Sequence, residues 1–241
     1  MNMVRQSASN LTKAQVEKVL HNLSQDTLLD LFYKHLHYDR ASQPISTRQW
    51  DTKIQQSIAD TTPIVIASAG SGAFQIIYTR LNSDNLNNKQ EQRQIIEKLL
   101  LDHPYSLFVF SNQNQSQWHF VNVKQQLSTQ RQRLFRRIAI TKGEVNRTAI
   151  EQISELDLKR LGSELPEISP LKIQQQHDRA FDVEQVTKKF FTEYSRVFQQ
   201  VESSIEGISN PEHQRLFTQK LFNRLMFIAF KIGRASCRER V

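Results

Sequence analysis

The chain has 241 residues, 38% of them hydrophobic, enough for a real core and for one or two domains. No run of about 18 apolar residues exists to span a bilayer, and the stretch MNMVRQSASNLTKAQVEKVL has no apolar block of signal-peptide length. A cytoplasmic protein with no membrane contact is therefore the expectation, and a net charge of +8 favours a polyanionic partner, since neutralising phosphates releases condensed counterions.

Thr12–Tyr38 has the spacing of helix. Thr12 is placed to cap it, with Gln15 three positions on. Val16, Val19, Leu20, Leu23, Leu28, Leu31, Phe32 and Leu36 recur near helical intervals, with a turn expected at Ser24–Thr27. Pro44 and Ser46 mark a loop. Trp50–Ala59 predicts a short helix with Trp50, Ile54 and Ile58 on one face.

A strand-rich block follows. Pro63–Ala69 (PIVIASA) is a short apolar run, and Ala73–Leu81 (AFQIIYTRL) is β-branched and aromatic. The GSG at 70–72 between them predicts a hairpin. Gln90–Leu101 is amphipathic, with Ile95, Ile96, Leu99 and Leu100 inward, and His103–Pro104 ends it. Ser106–Ser111 and Gln117–Lys124 predict two more strands. In the second, Trp118, Phe120 and Asn122 face one way and His119, Val121 and Val123 the other. Leu134–Ile140 predicts a fifth strand and Thr148–Leu156 a short helix.

From Gly162 to Asp182 there are two prolines and little periodicity, which predicts a linker. Two helices follow, Val183–Ile205 and Pro211–Phe230, the second with Pro211 in its first turn after Asn210. The expected architecture is α+β: a five-stranded mixed or antiparallel sheet with flanking helices over 1–160, a linker over 161–182 and a helical hairpin over 183–230.

The AGSGAF segment is not a phosphate loop, because it lacks both the GK[ST] of a P-loop and the third glycine of a dinucleotide loop. Metal-dependent nuclease chemistry needs an acid on one strand and an acid-x-Lys on the next. Phe74–Arg80 carries no acid, and Asn122-Val123-Lys124 has an amide where the acid is required; Asp102 is a lone carboxylate. His35 and His37, two apart on a helix, point away from each other. His119, on a strand beside Trp118, reads as a half-exposed strand residue. No catalytic, cofactor-binding or metal-ligating residue is expected. The strongest charge feature is Arg131, Arg133, Arg136, Arg137, Lys142 and Arg147. Guanidinium groups bind phosphate bidentately, which makes these six the candidate nucleic-acid contacts. Alternation puts Arg131, Arg133 and Arg137 on one face and Arg136 on the other. The competing reading is a solvated strand edge with intrachain ion pairs.

The final residues Ile232–Val241, IGRASCRERV, resemble the conceptual translation of a short-read sequencing adapter, so 231–241 is set aside as an adapter-derived tail. Residues 232–241 carry Cys237, the one cysteine, together with three arginines and one glutamate, so without them the net charge is +6 rather than +8. The expectation is that the natural protein continues beyond Phe230.

FF-x-x-Y-x-x-x-F at 190–198 and LFNRLMFIAF at 221–230 resemble a helical segment found before the catalytic domain of large adenine-specific DNA methyltransferases. These belong to restriction–modification systems of the type IIG kind. DHPYSLFVFSNQNQSQWHFVNVK, LFRRIAI and NRTAIEQISEL are similar to the N-terminal region of some of these enzymes. The resemblance implies a parent that moves a methyl group from S-adenosylmethionine to adenine N6 in double-stranded DNA. An extruded base is then held by an Asn/Asp-Pro-Pro-Tyr motif. That motif and the glycine-containing cofactor loop do not occur here, so the chain itself is expected not to transfer methyl groups. Its helical pair would couple to a downstream methyltransferase domain. Two other readings stay open: a standalone nucleic-acid-binding or assembly module of a phage-defence system, and an Mg²⁺-dependent nuclease domain.

Overall fold

The computed structural model describes residues 13–59, 62–125, 133–162 and 168–238, with backbone alone for 125, 183–189 and 230–238. The chain forms two compact units, Met1–Asp182 and Val183–Val241.

In the first unit, helix α1 (13–21) ends before a capping box at Ser24. The Ser24 hydroxyl accepts from the Thr27 backbone N–H while the Thr27 side chain accepts from the Ser24 N–H. This places the expected turn and starts α2 (Gln25–Asp30). The helix then widens into a π turn over Leu31–His35, with the Leu36 N–H bonded to the Leu31 carbonyl at 3.0 Å. Thr12, the expected cap, lies outside the described residues.

The class is α+β as expected, but the sheet has six strands rather than five. The additional one is β1 (Asp39–Pro44), in the stretch read as loop. It pairs with β2 (Ile64–Ala69) at the sheet edge and is exposed along nearly all its length. Its sequence, DRASQP, has no apolar alternation: Ala41 alone packs against a core, and backbone pairing to β2 defines the strand. Polar residues and a terminal proline suit an edge strand, where they discourage further pairing.

The strands run in spatial order β1 to β6. A hairpin joins β2 to β3 (Phe74–Arg80). Gly70 in its turn has φ +58°, and a Cβ there would lie 2.5 Å from the Ile168 carbonyl oxygen, so only glycine fits. After helices α3 (Thr52–Ser57, before the hairpin) and α4 (Lys89–Leu99), β4 (Ser106–Ser111) lies parallel to β3. β5 (Gln117–Gln125) and β6 (Arg133–Thr141) complete the sheet antiparallel.

Period-2 alternation divides the strands between two cores. On one side Ile66, Ile76, Tyr78, Leu107, Val109, Trp118, Phe120, Ile138 and Ile140 pack with α1, α2 and α5 (Arg147–Ser154). On the other, Val65, Ile77, Phe108, Phe110, Val121 and Val123 pack with α3 and α4 through Ile54, Ile95, Ile96 and Leu99. Ile66 and Ala67 both join the first core because the pairing slips between Val65 and Ala67, a bulge that resets the alternation.

The expected linker 161–182 needs correction, since it carries α6 (Pro170–Ala180). Pro170 occupies the first turn, where its missing N–H costs nothing. Ile173, Ala180 and Phe181 enter the first core. The rest of the inward surface is polar: Gln176 Nε2 donates to the carbonyls of Glu155 and Asp157 at 2.7 and 2.8 Å. His177 Nε2 meets the Tyr38 hydroxyl at 2.7 Å.

The second unit is a helical pair, α7 (Val183–Ser204) and α8 (Pro211–Arg238). Its seam is aromatic, with Phe222 edge-on to Tyr194 and Phe198 at 5.3 and 5.2 Å between centroids. Phe190, Phe191, Leu216, Phe217, Leu225, Met226 and Ile228 are exposed. Among the described residues, no helix is long and apolar enough to cross a membrane.

Candidate nucleic-acid interface

The pairing of β5 with β6 decides where the arginines go. Arg137 lies opposite Val121 and Arg136 opposite Asn122. Alternation therefore sends Arg137 to the α4 side of the sheet, together with His119, Val121 and Phe135, and Arg136 to the α6 side.

On the α4 side, Gln92 is the organising residue. It is fully buried on the inner face of α4. Its Nε2 donates to the Leu86 carbonyl at 3.3 Å, which fixes the amide so that Oε1 faces the sheet. Oε1 accepts from Arg137 Nε at 3.2 Å and lies 3.0 Å from His119 Nδ1. Because that oxygen can only accept, His119 carries its proton on Nδ1. Burial, with the positive charges of Arg137 and Lys89 nearby, pushes the His119 pKa down to about 4. The ring is neutral at physiological pH.

Arg137 is half-buried, and its Nη2 is closed off from solvent without an acceptor. Burial and the charge of Arg93 lower its pKa, so the two guanidinium groups are near enough to repel. Arg93 itself lies over the Phe135 ring, 5.2 Å from the centroid. Arg133, exposed, shares the parity of Arg137 on β6. Among the described residues, none of Lys89, Arg93, Arg133 and Arg137 forms an ion pair with a carboxylate. Glu91, on the same helix, bonds to Ser57 instead, and burial raises its pKa.

The α6 side is the opposite case. Asn122 is fully buried, and its Nδ2 donates to Asp178 Oδ1 at 2.7 Å. Gln174 Nε2 bridges Asn122 Oδ1 and Asp178 Oδ1 at 2.9 and 3.2 Å. Arg136 Nη1 pairs with Asp182 Oδ1 at 3.2 Å and reaches the Asp178 carbonyl at 3.4 Å. Deeper, His177 is enclosed by Tyr38 and Phe74, and burial pushes its pKa down to about 3. Asn122, Gln174, Arg136, Asp178 and Asp182 satisfy one another and fasten α6 to the sheet, whereas His177 Nδ1 and Gln176 Oε1 are closed off from solvent without a partner among the described residues.

The six candidate basic residues are dispersed, and Arg136 takes the face opposite Arg137 as strand alternation predicts. Arg133 and Arg137 share the α4 side, whereas Arg136 is engaged with α6 on the other. Lys142 is exposed in the turn after β6. Arg147, also exposed, opens α5 and pairs with Glu151 at 3.0 Å. Arg131 lies outside the described residues. Lys89, Arg93 and Gln92 were missed because the positions of α4 were read for apolar residues alone. The signal was present in KQEQR, which puts two cations four apart, on one helix face.

Asn122, read as the position of a missing nuclease acid, faces the carboxylate of Asp178 on a helix that the sequence reading did not expect. Asp102 is exposed in the turn closing α4. Among the described residues, no group of three or more His, Cys, Asp or Glu is placed to hold a metal ion. No family model matches this chain, and neither a curated protein nor a solved structure matches it.

Proposed function

We propose that this chain is the N-terminal part of a restriction–modification DNA adenine-N6 methyltransferase, supplying DNA contact and domain coupling rather than methyl transfer. The observation that carries the DNA contact is the α4 side of the sheet, where Lys89, Arg93 and Arg137 lie close together and Arg133 shares the face of Arg137 on β6, all without carboxylate partners among the described residues. Cations left unpaired within a fold retain their charge for an external anion, and a net charge that is still +6 without residues 232–241 extends the attraction over the whole molecule. The methyltransferase part of the reading rests on the likeness of FF-x-x-Y-x-x-x-F and LFNRLMFIAF to the segment preceding such catalytic domains. The exposed apolar side chains of α7 and α8 suit a helical pair that packs on a further domain. S-adenosylmethionine belongs to that domain in this reading, and the chain should not bind it.

Fluorescence anisotropy with a labelled DNA duplex, repeated across a salt series, tests the reading. The expected result is affinity that falls linearly on a log–log plot, with a slope near −3 for about three or four neutralised phosphates. Absence of salt-dependent duplex binding would overturn DNA contact. Detectable S-adenosylmethionine binding by calorimetry would overturn the division of labour.

A further inference from the structure

The sheet ends in two edge strands that are not alike. At one edge, β1 breaks register between Arg40 and Gln43 and ends in Pro44, features that discourage a further strand. At the other, β6 has no proline and keeps an unbroken register with β5, from Thr141 opposite Gln117 to Arg133 opposite Gln125. Two bonds fix which of its backbone groups look outward. The Lys142 N–H donates to the Ser116 carbonyl at 2.8 Å, and the Asn112 N–H donates to the Gln117 carbonyl at 3.2 Å. Bonded and non-bonded pairs alternate along an antiparallel ladder. The first bond therefore turns Leu134, Arg136, Ile138 and Ile140 towards β5, and the second, which turns Gln117 towards β4, requires the same phase. The N–H and C=O groups of Arg133, Phe135, Arg137 and Ala139 are left pointing to the open edge. No described residue bonds to any of them.

Strand parity puts the side chains of these four residues on the α4 side. There the exposed Arg93 lies over the Phe135 ring, and Arg133 is exposed on the same face. Neither pairs with a carboxylate among the described residues. We propose that the open edge of β6 takes an extended acidic peptide as a further strand. Its backbone supplies the donors and acceptors that the edge lacks, and its side chains supply the choice of partner. A carboxylate opposite Arg133 meets that guanidinium, an apolar residue covers Phe135, and a second carboxylate on the same face reaches Arg93. A second copy of the chain fits worse. Two antiparallel β6 strands centred on Phe135 would set Arg133 against Arg137, and centred on Arg137 they would set that residue against itself; like charges directly opposite are destabilising. Strand addition is also separate from the DNA-contact reading, because the phosphates of a duplex offer acceptors for the outward N–H groups and no donors for the outward carbonyls.

The test uses the full chain and a fluorescein-labelled synthetic peptide with the nine-residue length of β6. Threonines line one face of the peptide, and valines with a glutamate on either side of them line the other. One control replaces the glutamates by lysines, and another carries N-methyl groups on the nitrogens of the bonding edge. Anisotropy should show binding of the acidic peptide, weakened at least about tenfold in either control. Ala139→Pro removes an outward N–H and no bond to β5, a position where an edge strand tolerates proline. It should weaken the peptide about tenfold, with melting temperature and duplex affinity unchanged. The N-methylated control needs no change in the chain, so a misfolded Ala139→Pro leaves the test intact. No binding of the acidic peptide, or equal binding of the N-methylated one, would overturn strand addition. Equal binding of the lysine peptide would overturn the acidic occupant. A duplex affinity that falls with Ala139→Pro at unchanged melting temperature would assign the edge to nucleic acid, and a dimer in sedimentation that dissociates in Ala139→Pro would assign it to a second copy; either would overturn the acidic strand. Peptide binding without any duplex binding would support it and overturn DNA contact alone.

Discussion

The two sides of the β5–β6 ladder carry similar chemistry to opposite ends. On the α6 side an amide, a guanidinium and two carboxylates, Asn122, Arg136, Asp178 and Asp182, are drawn together by bonds of 2.7 to 3.4 Å. On the α4 side an amide, an imidazole and three cations meet with no carboxylate partner among the described residues. Adjacent residues of one strand, Arg136 and Arg137, thus take different parts. The first serves the fold, because its charge is met within the chain. The second is met by an amide oxygen, with no carboxylate partner among the described residues. Counting arginines along β6 cannot separate them; the face each one takes can.

The α6 side should show itself in stability, and the largest effect belongs to His177. Its pKa in the folded chain is depressed to about 3 by burial, against an ordinary value of 6.5. As pH falls below 6.5 the unfolded chain takes up a proton that the folded chain refuses. Stability is therefore fully present above that value and drains away towards pH 3. At about 1.4 kcal/mol per unit the loss is on the order of 5 kcal/mol. Urea melts at stepped pH should show this acid limb, and His177→Phe should flatten it. An acid limb unchanged in His177→Phe would mean that the ring is not buried neutral on α6.

A smaller loss is expected from Asp178→Ala. It leaves Asn122 Nδ2 without its acceptor in a fully buried position, at a cost of about 2 kcal/mol. Urea melts at pH 7 measure this, and the duplex affinity of the same variant should be unchanged if the two sides act separately. A parallel loss of affinity would break the comparison.

Much of this molecule was legible in the sequence because most strands alternate cleanly. Trp118 and Phe120 against Val121 and Val123 announced a two-faced strand, and GSG between two β-rich runs announced the hairpin. β1 was not legible, because an edge strand of DRASQP is defined by hydrogen bonds to β2, with Ala41 its one partly buried side chain. α6 escaped for a related reason. It is held by Gln174, Gln176, His177 and Asp178, whose partners are far away in sequence. Hydropathy counts such residues as solvent-facing. The separation of Arg136 from Arg137 followed from strand parity, whereas the recruitment of Lys89 and Arg93 depended on which face of the sheet α4 covers, a matter of topology.

Charge reversal at two places tests the central claim most directly, through duplex affinity at fixed salt. Arg93→Glu with Arg133→Glu alters the α4 side, and Lys142→Glu with Arg147→Glu makes the same change in net charge beyond the end of β6. If DNA lies against the unpaired cations, the first pair should weaken binding by at least about tenfold, near 1.4 kcal/mol, and flatten the salt slope by about two. The second pair should weaken binding only through the long-range field, by about threefold or less. Equal losses from the two pairs would contradict the account, and would assign binding to net charge alone.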